Sequence, residues 1–186
     1  MHEIDQVIRQ AAVVAALVKR HKGIGRTALM KYVYLLQTVR GQPLGFDFSL
    51  YAYGPYDGAV LSRLATAVRW KAVNEQPIMY PSGLGYDLEE GLELQALLDR
   101  DREFLAGMEQ DLDWVVENFR MHGAAAMELL GTMVFADREA KEEGLKKTKQ
   151  ELIELVLRIK PRFSKEQAEE IYDKLKGMGA LVAATE

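Results

Sequence analysis

The sequence predicts a mainly α-helical protein with a small β-hairpin. Apolar residues recur at helical spacing over most of the 186 residues. Two-residue alternation is confined to short stretches before residue 91, and no repeating strand–helix pattern supports a parallel sheet. With 48% hydrophobic and 28% charged residues, the composition suits a globular chain with a core rather than a disordered one.

The first helix is expected over Ile4–Arg20, with Ile4, Ile8, Ala11, Ala15 and Val18 on one side. "KGIG" breaks it. A second helix is expected from about Arg26 to Val39, where Leu29, Tyr32, Val33, Leu36 and Val39 follow helical spacing. Met30, Tyr34 and Leu35 leave little of it polar, which predicts a central, buried helix. Gly41 and Pro43 end it. In "FDFSLYAYGPYD", Phe46, Phe48, Leu50 and Ala52 alternate with Asp47, Ser49, Tyr51 and Tyr53, the pattern of a strand. Gly54-Pro55 predicts a turn, and Asp57 is placed to cap a third helix over Gly58–Trp70.

"KAVNEQPIMYPSGLGYDLEEG" reads as two extended segments joined through "PSGLG", a hairpin. The remainder is helical: about Leu92–Glu109, Asp111–Met121, Ala124–Ala136 and Lys149–Lys160. Ser164 and Gln167 form a capping-box pattern that opens a last helix to about Lys176, closed by Gly177 and Gly179. The charged "DREAKEEGLKKTKQ" reads as an exposed connection or a frayed helix end.

Helix, link, helix, connection, helix, hairpin is the order of a winged helix-turn-helix. The expected organisation is a winged-helix-like lobe over residues 1–90 and a helical lobe over 91–186 packed on it, or one continuous domain. The connection from Gln37 to Tyr56 departs from the pattern, being about twenty residues instead of a three- or four-residue turn.

In such an order the third helix reads DNA. From Met1 to Lys71 there are ten Lys/Arg against four Asp/Glu, and afterwards fourteen against twenty-four, so the first part is the basic one. On the third helix Val60, Leu61, Leu64, Ala65, Ala67 and Val68 fall on one side, and Ala59, Ser62, Arg63, Thr66, Arg69 and Trp70 on the other. Ser62, Arg63, Thr66 and Arg69 are therefore the candidate DNA contacts, with Lys71, Arg26, Lys31 and the "KRHK" segment at phosphates. The hairpin suits DNA badly, since it carries Glu75, Asp87, Glu89 and Glu90 and no Lys or Arg after Lys71. A protein-binding or merely solvated face is the alternative.

No cofactor, metal or catalytic centre is expected. Gly23, Gly25 and Ala28 spell G-x-G-x-x-A, but Lys19-Arg20-His21-Lys22 separates them from the apolar run, and Asp47 lies between two phenylalanines. The glycines read better as a tight link between packed helices. There is no cysteine, and His2, His21 and His122 are scattered away from metal-ligand spacing. The longest apolar run, Ala11–Val18, is too short to cross a bilayer and has no basic segment before it, so a cytoplasmic protein without a membrane partner is expected.

"GRTALMKYVYLLQ", then "PLGFDFSLYAYGPYD" and an amphipathic helix, resembles the YwgA-like bacterial family of uncharacterised proteins. It is similar more distantly to the Panacea domain of SocA-like antitoxins, with a K-x-x-Y-L helix and a Y-G-P turn. Lys31, Tyr34 and Leu35 match the helix motif; Tyr53, Gly54 and Pro55 match the turn. The resemblance covers roughly residues 20 to 70 and implies structural roles for these residues. It also implies a regulator or an antitoxin-type interaction module without a catalytic centre. With the helix order, the expected function is a non-enzymatic winged-helix DNA-binding regulator, the alternative being an antitoxin- or adaptor-type module that binds a protein such as a toxin. The later helices are then expected to supply a homodimer interface or a partner-binding lobe.

Overall fold

The computed structural model describes residues 3–80 and 83–183. His2 and the Pro81-Ser82 part of the expected turn lie outside the described residues. The elements are α1 (Glu3–Arg20), α2 (Arg26–Thr38), β1 (Ser49–Tyr51), β2 (Gly54–Tyr56), α3 (Gly58–Arg69), β3 (Val73–Tyr80) and β4 (Gly83–Glu90). They are followed by α4 (Leu94–Arg100), α5 (Arg102–Ala106), α6 (Glu109–Phe119), α7 (Ala124–Glu142), α8 (Lys149–Ile159) and α9 (Lys165–Gly177). The protein is mainly helical, with two small antiparallel hairpins, β1–β2 and β3–β4. No described helix is long and apolar enough to cross a membrane.

The chain forms two compact units: Met1–Phe48 with Tyr56–Met121, and Ser49–Pro55 with His122–Glu186. The boundary expected at residue 90 falls inside the first unit, because α4, α5 and α6 all pack on α1. Every residue from Ala11 to Val18 is buried, so α1 is enclosed on all sides there, while Ile4, expected inward, is largely exposed. The apolar character of α2 has the expected consequence: Leu29 through Leu36 are all buried.

The glycine link is held from outside. Gly23 takes φ +75°, its N–H donates to Leu88 O (2.9 Å), and Leu88 N–H donates to Ile24 O (3.1 Å). The link between α1 and α2 is thus bridged to β4, whose partner β3 pairs in register from Val73↔Glu90 to Tyr80↔Gly83. The order helix, link, helix, connection, helix, hairpin is the one observed.

Three expectations need correction. The alternation over Phe46–Tyr53 yields a strand only at Ser49–Tyr51. Gln37 explains the difference: its amide accepts from Phe46 N–H (2.9 Å) and donates to Phe46 O (2.8 Å), saturating backbone groups that a neighbouring strand would otherwise take. The Phe46 and Phe48 rings pack on each other, and Phe48 meets Tyr34 edge-on at 5.1 Å. The turn comes at Ala52-Tyr53, and Gly54, at φ +87°, already opens β2 with Pro55. Finally, the helix expected over Leu92–Glu109 is broken at Asp101, whose carboxylate accepts from Arg9 Nε (2.8 Å), and again before Glu109.

In the second unit α7 runs on to Glu142, well into the stretch expected to be exposed. Asp137 is the reason: it is fully buried, accepts from the N–H groups of Val182 (2.8 Å) and Ala183 (2.9 Å), and pairs with Arg138. The exposed connection shrinks to about residues 143–148. Thr148 and Glu151 then form a capping box that starts α8, and Ser164 and Gln167 form the expected one that starts α9.

Candidate functional site

The third helix begins as its sequence predicts, with Asp57 Oδ1 accepting from Ala59 N–H (2.8 Å) while Oδ2 accepts from Asp47 N–H (2.7 Å). Its open stripe, however, is Gly58, Ser62, Ala65 and Arg69. Compared with the expected polar arc, this stripe is turned by roughly 70° toward Ala65. Thr66 is buried and donates its hydroxyl to Ser62 O (3.0 Å), so it is not available to a base edge. Arg63 is half-buried, and its Nε donates to Gln10 Oε1 (2.8 Å) on α1. Ala65, expected inside, is exposed. What this face offers a ligand is small side chains with one arginine at its end.

Arg26 is spent on the hairpin. It donates from Nε and Nη2 to the two Glu75 carboxylate oxygens (2.6 and 2.7 Å) and lies 3.6 Å from the centroid of the Tyr86 ring. Those hydrogen bonds to Glu75 hold its pKa above the ordinary arginine value. Other cations of the basic first part are answered in the same way: Arg9 by Asp101, Arg20 by Glu109 and Asp113, Lys22 by Glu90, Arg40 by Asp111. The charge asymmetry along the sequence is therefore largely cancelled within the first unit. Over residues 1–121 there are 13 Lys/Arg against 16 Asp/Glu, a net −3. Of the proposed DNA contacts, Ser62, Arg69 and Lys71 are exposed, Arg63, Thr66 and Arg26 are engaged elsewhere, and Lys31 is buried. In the Lys19–Lys22 segment Arg20 and Lys22 pair with carboxylates, while the exposed Lys19 donates to Gln95.

The family-motif residues divide more sharply. Lys31, Tyr34, Gly54 and Pro55 are buried. Tyr53 is not: it and Tyr51 are 65% and 64% exposed, on the short β1–β2 hairpin. Within the second unit that hairpin is held by Lys160, a buried residue whose ammonium donates to Tyr51 O (3.2 Å) and to Ala52 O and pairs with Glu128 Oε1 (3.2 Å). Glu128 is itself buried and also accepts from Arg162. A buried ammonium must find such partners, so the clamp fixes the hairpin backbone while leaving both phenol rings exposed. Sequence reading missed Lys160 and Glu128. They lie far along the chain from the hairpin, and no local spacing links them to it.

Chemistry at the histidines is quiet. His21 Nδ1 lies 2.9 Å from Tyr32 Oη, and the rings stack at 5.7 Å. Burial, helped by the Arg120 charge, holds the His21 pKa below the ordinary value, and burial pushes Tyr32 up. His122 Nε2 lies 2.9 Å from Lys174 Nζ. Among the described residues, no three His, Asp or Glu side chains converge where a metal ion could sit. No family model matches the chain, and no curated protein matches it either.

Proposed function

We propose that the protein is a non-enzymatic regulatory module of the antitoxin or adaptor type, which acts by holding a partner protein on the Tyr51–Tyr53 hairpin. The observation that carries this reading is the pairing of two exposed tyrosines with a clamped backbone. Tyrosine is enriched at protein interfaces because it offers a large ring with a polar tip and few torsions to freeze. A hairpin already fixed by Lys160 has less ordering entropy to lose on binding. The likeness of the Lys31–Tyr34 helix and the Tyr53-Gly54-Pro55 sequence to the Panacea domain adds an antitoxin-like precedent. Cytoplasmic action fits a chain without cysteine.

Tagged protein recovered from its native host is expected to carry one partner in stoichiometric amount. The Tyr51→Ala/Tyr53→Ala variant is expected to fold normally, since both rings are exposed, and to lose that partner. Recovery of the bait alone, or equal recovery by the variant, contradicts the reading.

A second reading, a winged-helix DNA-binding regulator, draws on the observed element order, on the bridge from Ile24 to Leu88, and on the exposure of Ser62, Arg69 and Lys71. With Arg69 and Lys71 as the phosphate contacts, log affinity should fall with log salt at a slope of about −2. Arg69→Glu with Lys71→Glu should abolish retardation of promoter DNA. A wild-type protein that retards no fragment at low salt removes this reading.

A further inference from the structure

The end of α3 carries an arrangement that partner binding at the tyrosines does not use. Lys71 sits at φ +58°, the only non-glycine residue with positive φ among the described residues. It closes the helix: Lys71 N–H donates to Val68 O (2.9 Å) and Ala72 N–H to Ala67 O (2.9 Å). Glycine commonly fills such a position, because a Cβ crowds the backbone there. Neighbours hold it in place: Glu93 N–H donates to Lys71 O (2.9 Å), Gly91 N–H donates to Ala72 O (3.0 Å), and a Cβ on Gly91 would collide with Lys71 O. The outcome is an exposed lysine, following Trp70 in the chain, at a site where glycine would be easier.

Trp70 is half-buried, and the Arg100 guanidinium stands 5.6 Å from its ring centroid. Together with Glu93, Ala96 and Leu97 they line an open cleft of about 330 Å³. Arg69 and Lys71, both exposed, flank Trp70 in the chain. Among the described residues, six of the thirteen cations of this unit pair with carboxylates. Arg69, Lys71 and Arg100 are not among them, and Glu93 is the one acid in the cleft lining, beyond which Arg69 and Lys71 lie.

The chemistry that fits is a planar ring bearing an anion. An indole and a guanidinium give the ring a stacking platform. Arginine and lysine hold a phosphate through charge-assisted hydrogen bonds. The Glu93 carboxylate accepts from an amino or sugar hydroxyl group. The cleft volume lies at the small end of ligand sites, which suits a single nucleotide rather than a strand. We propose that the Trp70–Arg100 cleft, with Arg69 and Lys71, binds a free nucleoside monophosphate as an effector of the protein. This site shares no residue with the tyrosine hairpin, and its test is independent of whether a protein partner is found.

The test uses the full chain carrying Trp114→Phe, which leaves Trp70 as the one indole. Titration with adenosine monophosphate is expected to change Trp70 emission saturably at or below millimolar concentration. Adenosine alone and inorganic phosphate alone are each expected to bind about tenfold more weakly. Arg69→Gln and Lys71→Gly should each weaken the nucleotide by about tenfold, and Lys71→Gly should at the same time raise the thermal midpoint by relieving the backbone. The proposal is overturned by any of three results: no saturable response to the nucleotide, an unchanged response in both variants, or tighter binding of a short DNA oligonucleotide than of the monophosphate.

Discussion

Asp137 anchors the segment after α9: one buried carboxylate accepts two backbone N–H groups, from Val182 and Ala183, and pairs with Arg138, which itself donates to Ala180 O. Asp137→Asn keeps the shape but turns an NH₂ group toward those donors. The expected loss is about 2–4 kcal/mol in urea unfolding, with faster exchange of the Val182 and Ala183 amides. His21 makes a second prediction at this scale. Its pKa is lowered in the folded protein, so between that value and the ordinary 6.5 the unfolded chain binds more protons. Its contribution to stability is complete above the unfolded value and is lost as pH falls through the folded one. The thermal midpoint should therefore drop as pH falls from about 7 through and below 6.5, and His21→Gln should flatten that part of the profile. An unchanged profile in the variant would assign the dependence to other groups.

The two capping boxes set helix starts through purely local contacts, and Thr148→Ala or Ser164→Ala should each cost about 1 kcal/mol. The hairpin depends instead on a distant residue. Lys160→Met should leave α8 intact but speed amide exchange across residues 49–55, which hydrogen-exchange mass spectrometry can localise; equal protection would mean that the hairpin holds itself. This contrast also separates what was legible in the sequence from what was not. Ser164–Gln167 and the Asp57 cap are readable because the whole interaction lies within three residues. The Phe46–Tyr53 alternation misleads because Gln37, nine residues before Phe46, takes the backbone hydrogen bonds. On α3, period alone gives an apolar side, but which residues at its margins are covered depends on what packs there. Thr66 goes in and Ala65 comes out, a difference one helix cannot encode. The exposure of Tyr53 next to the buried Gly54-Pro55 is similarly invisible without Lys160 and Glu128.

Across the whole molecule the main result is how its charges are spent. Basic residues of the first part and acidic residues between Glu75 and Asp113 pair within one unit, so the sequence asymmetry does not become a large positive surface. Releasing the cations should reverse this: Glu75→Gln with Asp111→Asn is expected to increase retention on heparin, read as the salt needed for elution, by freeing Arg26 and Arg40. No change would mean that those guanidinium groups stay covered without their carboxylates.

The claim on which the rest turns is that the clamped tyrosine hairpin is the working surface. Calorimetric titration of the purified host partner into wild-type protein and into Tyr51→Ala/Tyr53→Ala tests it most directly. The account predicts one-to-one binding by the wild type and a loss of at least about a hundredfold in the equally stable variant, as two interface anchors would give. Equal affinity of the two proteins would contradict it.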